Sequence, residues 1–303
     1  MRRPTLLAGA LLAGLWFCAA SAQQQPSPPV FRTGVDLVRV DALVVEGGRP
    51  VRGLTASDFE ILDNGIPQRV MLATTAGDVA IALVLDTSGS VKGEKLRDLI
   101  RASQALVGML QPNDEASLLT FSDRVSLQAG SVRDPAVVAK ALVEARASGR
   151  TAMWDALFAG MSFVAGDSGR ALVLLFTDGF ENSSWLPEEQ VMQSLKRSDV
   201  VVYVVKAKPA EGELQARATI ENAGRALETI ASQSGGSVFQ AESGGRLREQ
   251  FVGVLNEFRA RYLLTYEATG VRRDDGWHTL TVRLKRGKGR VQARPGYYAL
   301  RSR

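Results

Sequence analysis

The feature that most constrains this chain is a run with no polar side chain, Val79-Ala80-Ile81-Ala82-Leu83-Val84-Leu85. A strand with one wet face alternates apolar and polar residues, whereas a run apolar throughout is buried on both faces, as in a parallel sheet covered by helices. Similar runs recur at Ala116 to Phe121, Ala171 to Phe176 and Val200 to Val205, with a weaker one at Ser237 to Gln240. Segments of helical spacing lie between them. Leu96, Leu99, Ile100, Ala102, Leu106 and Leu110 recur at threes and fours, and Ala136 to Ala147, Met153 to Val164, Glu188 to Arg197 and Asn222 to Ser232 read the same way. A last helix, Gly245 to Ala260, sets Leu247, Phe251, Leu255 and Phe258 on one face. Alternation of this kind predicts an α/β domain over residues 79–260, a doubly wound, mostly parallel sheet flanked by helices with right-handed crossovers.

The flanks have β character. Val35 to Val45 alternates loosely, and Asp63-Asn64-Gly65 is a hairpin-turn signal between Phe59 to Leu62 and Gln68 to Leu72, so residues 31–75 read as a small β module. After residue 260 come Tyr262 to Tyr266, an alternating strand at His278 to Lys285, and Gly296-Tyr297-Tyr298. This tail, 261–303, is expected to pair with the N-terminal module.

Residues 1–22 read as an export signal: Arg2 and Arg3, an apolar stretch from Leu6 to Ala19, then the small-x-small site Ala20-Ser21-Ala22. That stretch is shorter than the roughly 18 residues of a membrane span. A Gln- and Pro-rich linker, 23–30, follows. Cleavage after Ala22 would leave no membrane span and would remove Cys18, the only cysteine, leaving neither a disulfide nor a thiol nucleophile. It would also lower the formal +5 by the two charges of Arg2 and Arg3, a balance that makes no case for nucleic acid. An uncleaved anchor is the alternative. The expected location is outside the cytoplasm: periplasm, envelope or medium.

The chemistry gathers at strand ends. Asp86-Thr87-Ser88-Gly89-Ser90 follows the first buried run, Thr151 lies in the loop entering a helix, and Thr177-Asp178-Gly179 ends another buried run. In open α/β sheets, ligands bind beyond the carboxyl ends of the strands, near the point where strand order reverses. Two carboxylates and three hydroxyls from Asp86, Ser88, Ser90, Thr151 and Asp178 form a hard oxygen shell, suited to Mg²⁺, Ca²⁺ or Mn²⁺ rather than to a thiolate-preferring metal. Each piece also has a bland reading, since Ser and Asp favour helix caps and Asp-Gly is a common turn.

The D-x-S-x-S run at Asp86, Ser88 and Ser90, with Thr151 and the Asp178 of T-D-G, resembles the metal-ion-dependent adhesion site of the von Willebrand factor A family. The resemblance covers about Val79 to Phe258. It implies a Rossmann-like fold, a divalent metal contacted by the serines and the threonine, aspartates acting largely through water, and a partner carboxylate completing the shell. The flanks, Arg52-Gly53-Leu54-Thr55 with Asp58-Phe59 and Arg294-Pro295-Gly296-Tyr297-Tyr298, are similar to exported bacterial relatives of that family.

The expected function is therefore protein binding through a metal, with a partner that offers an Asp or Glu, and no enzymatic activity. Rim candidates are Arg150, Met153, Trp154, Phe180, Glu181, Asn182 and Trp185. A metal-assisted hydrolase is the runner-up; the lone histidine, His278, lies far along the chain from the metal loops and reads as a surface residue. No Gly-x-Ser-x-Gly elbow, phosphate loop or dinucleotide fingerprint occurs. A structural envelope component with a purely stabilising metal is the third reading. The basic tail residues Arg283, Lys285, Arg286, Lys288, Arg290 and Arg294 read as one solvated strand face. Oligomeric state is left open.

Overall fold

The computed structural model describes residues 37–165, 170–208, 217–241, 245–272 and 276–299; the expected signal, the linker and Cys18 lie outside them. The N-terminal flank forms β1 (Leu37–Glu46), β2 (Arg49–Pro50), β3 (Phe59–Asp63), β4 (Ile66–Gln68) and β5 (Val70–Thr74). The central region then runs β6 (Val79–Asp86), α1 (Glu94–Val107), β7 (Glu115–Phe121), β8 (Val125–Val132), α2 (Pro135–Val143), α3 (Met153–Val164) and β9 (Arg170–Thr177). It continues through α4 (Glu188–Lys196), β10 (Val201–Lys206), α5 (Arg217–Ser234), β11 (Val238–Gln240) and α6 (Gly245–Ala260). The C-terminal flank adds β12 (Tyr262–Glu267), β13 (Trp277–Leu284), β14 (Arg290–Gln292) and β15 (Gly296–Tyr298).

The apolar runs assemble into one six-stranded sheet in the order β11-β10-β9-β6-β7-β8. Its strands are parallel except β8, which returns antiparallel to β7. Residues on alternate sides of β6 feed two cores. Val79, Ile81, Leu83 and Leu85 pack with Leu99 of α1, Leu142 of α2 and Phe251 of α6. Ala82 and Val84 face Leu157 of α3, Val191 of α4 and Leu227 of α5. Each fully buried Val or Leu contributes roughly 1.5–3 kcal/mol, so a strand covered on both faces has no position where a polar side chain is cheap. Helix α3 comes close to the sheet at Gly160, where a Cβ would stand 2.5 Å from Val84 Cγ2.

Strand order reverses between β6 and β9. The chain leaves β6 toward β7 on one side and leaves β9 toward β10 on the other, so their carboxyl ends open a crevice between diverging loops. Strand β8 was not legible as a strand because its side chains are largely solvated, with Ala129 alone fully buried. Helix α2 ends at Val143, earlier than Ala147, because the following loop turns to the β6 edge, where Ser148 N donates to Thr87 O at 2.9 Å.

The flanks interleave. One sheet runs β14-β1-β12-β5 with β2 on β1, and the other runs β15-β13-β3-β4. Val40, Ala42, Phe59, Ile61, Tyr262, Leu264, Tyr266 and Leu280 share their core. Asn64 (φ 48°) and Gly65 (φ 80°) make the two-residue turn, but the strand returning from it is Ile66–Gln68. The residues expected to continue it, up to Leu72, switch sheets and pair with β12.

Two expectations about the tail are corrected. His278 is no surface residue: it is 2% exposed, and its Nδ1 lies 2.8 Å from Asp63 Oδ1. Tyr266 and Tyr297 both donate to Asp63 Oδ2 at 2.8 Å, so residues of β3, β12, β13 and β15 meet on one carboxylate. Arg294 is not on a solvated face either. It is buried and donates to Asp199 Oδ1 at 2.7 Å and to Arg39 O at 2.6 Å. Arg261, fully buried, donates to Gly235 O at 2.7 Å and Tyr203 Oη at 3.1 Å, and Arg170 pairs with Asp41. These three arginines tie the flanking sheets to the central one.

Candidate metal centre

Asp86 ends β6 with its carboxylate fully buried. Its Oδ1 accepts from Ser88 N at 2.8 Å, a side-chain turn that fixes the D-x-S bend, and its Oδ2 accepts from Thr177 Oγ1 at 2.9 Å. The two serine hydroxyls lie 3.0 Å apart, Ser88 Oγ to Ser90 Oγ. Neither caps a helix. Ser88 precedes a single 3₁₀ turn, Gly89–Val91, without a side-chain cap bond, and α1 begins after Gly93, itself without a capping side chain. The capping reading therefore fails: the two hydroxyls bond each other beside the Asp86 carboxylate instead of a helix end.

Thr151 is brought in by its loop. Gly89 N donates to Gly149 O at 3.0 Å, which stitches the segment before Thr151 to the D-x-S-x-S turn. Gly149 has φ +78°, which favours glycine, and a Cβ there would stand 1.9 Å from Asp123 Oδ2 unless that side chain moved. From the other side, Asn182 receives Thr151 N on its Oδ1 at 2.9 Å and returns its own N–H to Thr151 O at 3.1 Å. Thr151 is 2% exposed.

Asp178, fully buried, follows β9 directly. Phe180 N approaches its Oδ1 at 3.4 Å, while Oδ2 is buried with no hydrogen-bond partner among the described residues. Burial, reinforced by the neighbouring Asp178 charge, pushes the Asp86 carboxyl up to about 7. Two buried carboxylates that raise each other's energy, one with an orphaned oxygen, are costly unless a cation offsets their charge. Asp86, Ser88, Ser90 and Asp178 lie at or just beyond the carboxyl ends of adjacent β6 and β9, and the Thr151 loop is stitched to the same turn; carboxylate and hydroxyl oxygens are the donors that a hard divalent ion takes.

Other residues here were not legible. Thr177 orients Asp86, though it stands in the T-D-G motif. Glu181 is no rim residue: its Oε2 accepts from Met153 N at 2.7 Å and Trp154 N at 3.1 Å, capping α3 from across the fold. No local spacing announces a cap 28 residues away. Met153 and Trp154 are buried, at 0% and 7% exposure, and cannot read a partner; Trp185, at 90%, can.

The family model described as von Willebrand factor type A domain matches residues 80–252. An uncharacterized protein of Synechocystis sp. is 32% identical over 133 residues, which cover 39% of this chain and 32% of that one, so the match spans about a third of the relative. Among solved structures, a von Willebrand factor type A protein from Catenulispora acidiphila superposes with a TM-score of 0.53 at 12% identity. That likeness covers 85% of this chain and 75% of the other. The proximal thread matrix protein 1 of the mussel byssus, solved with zinc in its MIDAS motif, superposes with a TM-score of 0.51 at 21% identity, over 62% of this chain and 47% of its own.

Proposed function

The chain belongs to the von Willebrand factor type A family, and from that premise we propose that it is an exported protein that binds a protein partner through a divalent cation, Mg²⁺ by preference, held at the edge of β6 and β9. The observation that carries this reading is the orphaned Asp178 Oδ2, buried beside Asp86 and the uncapped hydroxyls of Ser88 and Ser90. A hard divalent ion bound there supplies an open coordination position for an Asp or Glu carboxylate of the partner. Ser88, Ser90 and Thr151 offer the direct oxygens. Asp86, held by Ser88 N and Thr177, and Asp178 supply the balancing charge from behind.

Binding rather than hydrolysis is favoured by where the residues lie. His278, the one imidazole of the chain, is enclosed in the flanking sheets with Asp63 and has no route to a reacting water at the β6 edge. Export is supported by the basic start, apolar stretch and Ala20-Ser21-Ala22 site of the sequence. No helix among the described residues is long and apolar enough to cross a membrane. The interleaved flanks would serve as an accessory β module presenting the doubly wound domain.

The test is immobilised protein exposed to envelope extracts with Mg²⁺ or EDTA, alongside calorimetric Mg²⁺ titration of wild type and Thr151→Ala. Capture should be lost in EDTA, and Thr151→Ala should lose about tenfold in affinity, the loss of one ligand bond worth roughly 1.4 kcal/mol. Its fold should weaken by only about 1–2 kcal/mol. Undiminished capture by Thr151→Ala in saturating Mg²⁺ would defeat the mechanism. Capture unaffected by EDTA, with melting lowered, would favour a purely stabilising metal.

A further inference from the structure

Beside Thr151 lies an open groove of about 1060 Å³, walled by three loops: Ser122 to Arg124 after β7, Arg150 before α3, and Asn182 to Trp185 after β9. Its wall residues are also the ones that hold Thr151. Ala152 N donates to Ser122 O at 2.8 Å, and Thr151 N donates to Asn182 Oδ1 at 2.9 Å. The groove and the metal edge thus share one scaffold, and an occupant of one adjoins the other.

Two side chains give the groove a chemical character. Trp185 is 90% exposed, yet its backbone is clamped: Trp185 N donates to Asp155 Oδ2 at 3.0 Å and Leu186 N to Asp155 Oδ1 at 2.8 Å. An indole displayed from fixed backbone loses little freedom when covered, which is the behaviour of an interface anchor. Arg124 is exposed and forms no ion pair among the described residues. Arg150, by contrast, is paired with Asp123 at 3.1 Å. Of the two guanidiniums that line the groove, Arg124 is thus the one left without an ion-pair partner among the described residues. The groove's hydroxyl and amide walls, from Ser122 and Asn182, suit the N–H and C=O groups of an extended backbone.

We propose that this groove seats an extended polypeptide segment of the partner, which places a second acidic residue against Arg124 and an apolar residue against Trp185. The inference rests on the metal–carboxylate reading above, whose acidic residue would lie on the same segment. Arg124 then selects by charge, and Trp185 supplies most of the contact area.

The test is an array of peptides with one fixed Asp and all other positions randomised, probed with the full chain in Mg²⁺ and in EDTA. Mg²⁺-dependent capture should enrich a second Asp or Glu and an apolar residue. Arg124→Glu should bind Mg²⁺ as wild type does by calorimetry while its second preference switches to Lys or Arg. Trp185→Ala should lose the apolar preference and bind the selected peptides about tenfold more weakly. Mg²⁺-dependent capture that needs the fixed Asp but shows no other preference, or preferences unchanged in Arg124→Glu, overturns the groove assignment and leaves the metal reading standing. Capture that persists in EDTA, or that ignores the fixed Asp, overturns the metal reading and this proposal with it.

Discussion

Thr177 donates its hydroxyl to Asp86 Oδ2 at 2.9 Å, joining the ends of two adjacent strands whose residues stand 91 positions apart in the chain. The Thr177 hydroxyl oxygen itself accepts from Gly179 N at 3.1 Å, so one hydroxyl sets both the Asp86 carboxylate and the loop carrying Asp178. Thr177→Val keeps the shape and removes the hydroxyl. It should cost about 1–3 kcal/mol of stability, the penalty for an unsatisfied buried acceptor. Mg²⁺ affinity should fall about tenfold as Asp86 loses its orientation. Calorimetry and melts on the two proteins measure both effects, and wild-type Mg²⁺ affinity in the variant would show that Thr177 does not position Asp86.

The two buried aspartates should make stability respond to metal in an unusual way. Without divalent ions, Asp178→Asn removes one charge from a site where Asp178 raises the energy of ionised Asp86. The variant should therefore melt higher than wild type in EDTA. In Mg²⁺ the order should reverse, because wild type gains about 2.7 kcal/mol at a hundredfold excess over its dissociation constant while the variant gains little. Parallel melts in both buffers decide it; a variant that melts below wild type in EDTA would mean that the two charges are not in conflict.

Gly149 offers a test of how Thr151 is placed. Gly149→Ala sets a Cβ against Asp123 Oδ2 at a backbone angle of φ +78°. Mg²⁺ affinity should drop, and adding Asp123→Ala should recover part of it by relieving the clash. The positive-φ strain, roughly 1 kcal/mol, should remain. No recovery in the double variant would indicate that strain alone carries the defect.

The carboxylate at Asp63 should matter for the fold and little for the metal. It accepts from Tyr266 and Tyr297, whose hydroxyls burial pushes above the usual phenol range so that they stay protonated donors, and it pairs with His278. Asp63→Ala removes the acceptor of the buried Tyr266 hydroxyl and of the half-buried Tyr297 hydroxyl and the partner of buried His278, and should cost roughly 2–4 kcal/mol. Melting should fall by several degrees. Mg²⁺ affinity measured below that transition should hold. A melt within a degree of wild type would show that the cluster does not bind the flanking sheets together.

Much of the architecture was readable because its physics is local and periodic. The run Val79 to Leu85 has one cheap environment, a strand covered on both faces, and α6 was found to the residue because Leu247, Phe251, Leu255 and Phe258 repeat at helical spacing. The D-x-S-x-S turn, Thr151 and T-D-G stood out as short motifs at predicted strand or loop ends, and the family resemblance joined them into one proposed site. What only the tertiary structure decided was whose partner each polar group would be. His278 looked solvated until Asp63, 215 residues away, closed on it, and Arg294 until Asp199 and Arg39 did. Glu181 caps a helix that it follows in the chain, and Asp178 Oδ2 is buried without a partner among the described residues. Apolar burial depends on the pattern along a segment, so one strand's sequence is enough to announce it. A buried hydrogen bond or ion pair depends on distance and direction between two atoms, and those exist only once distant segments have been packed together.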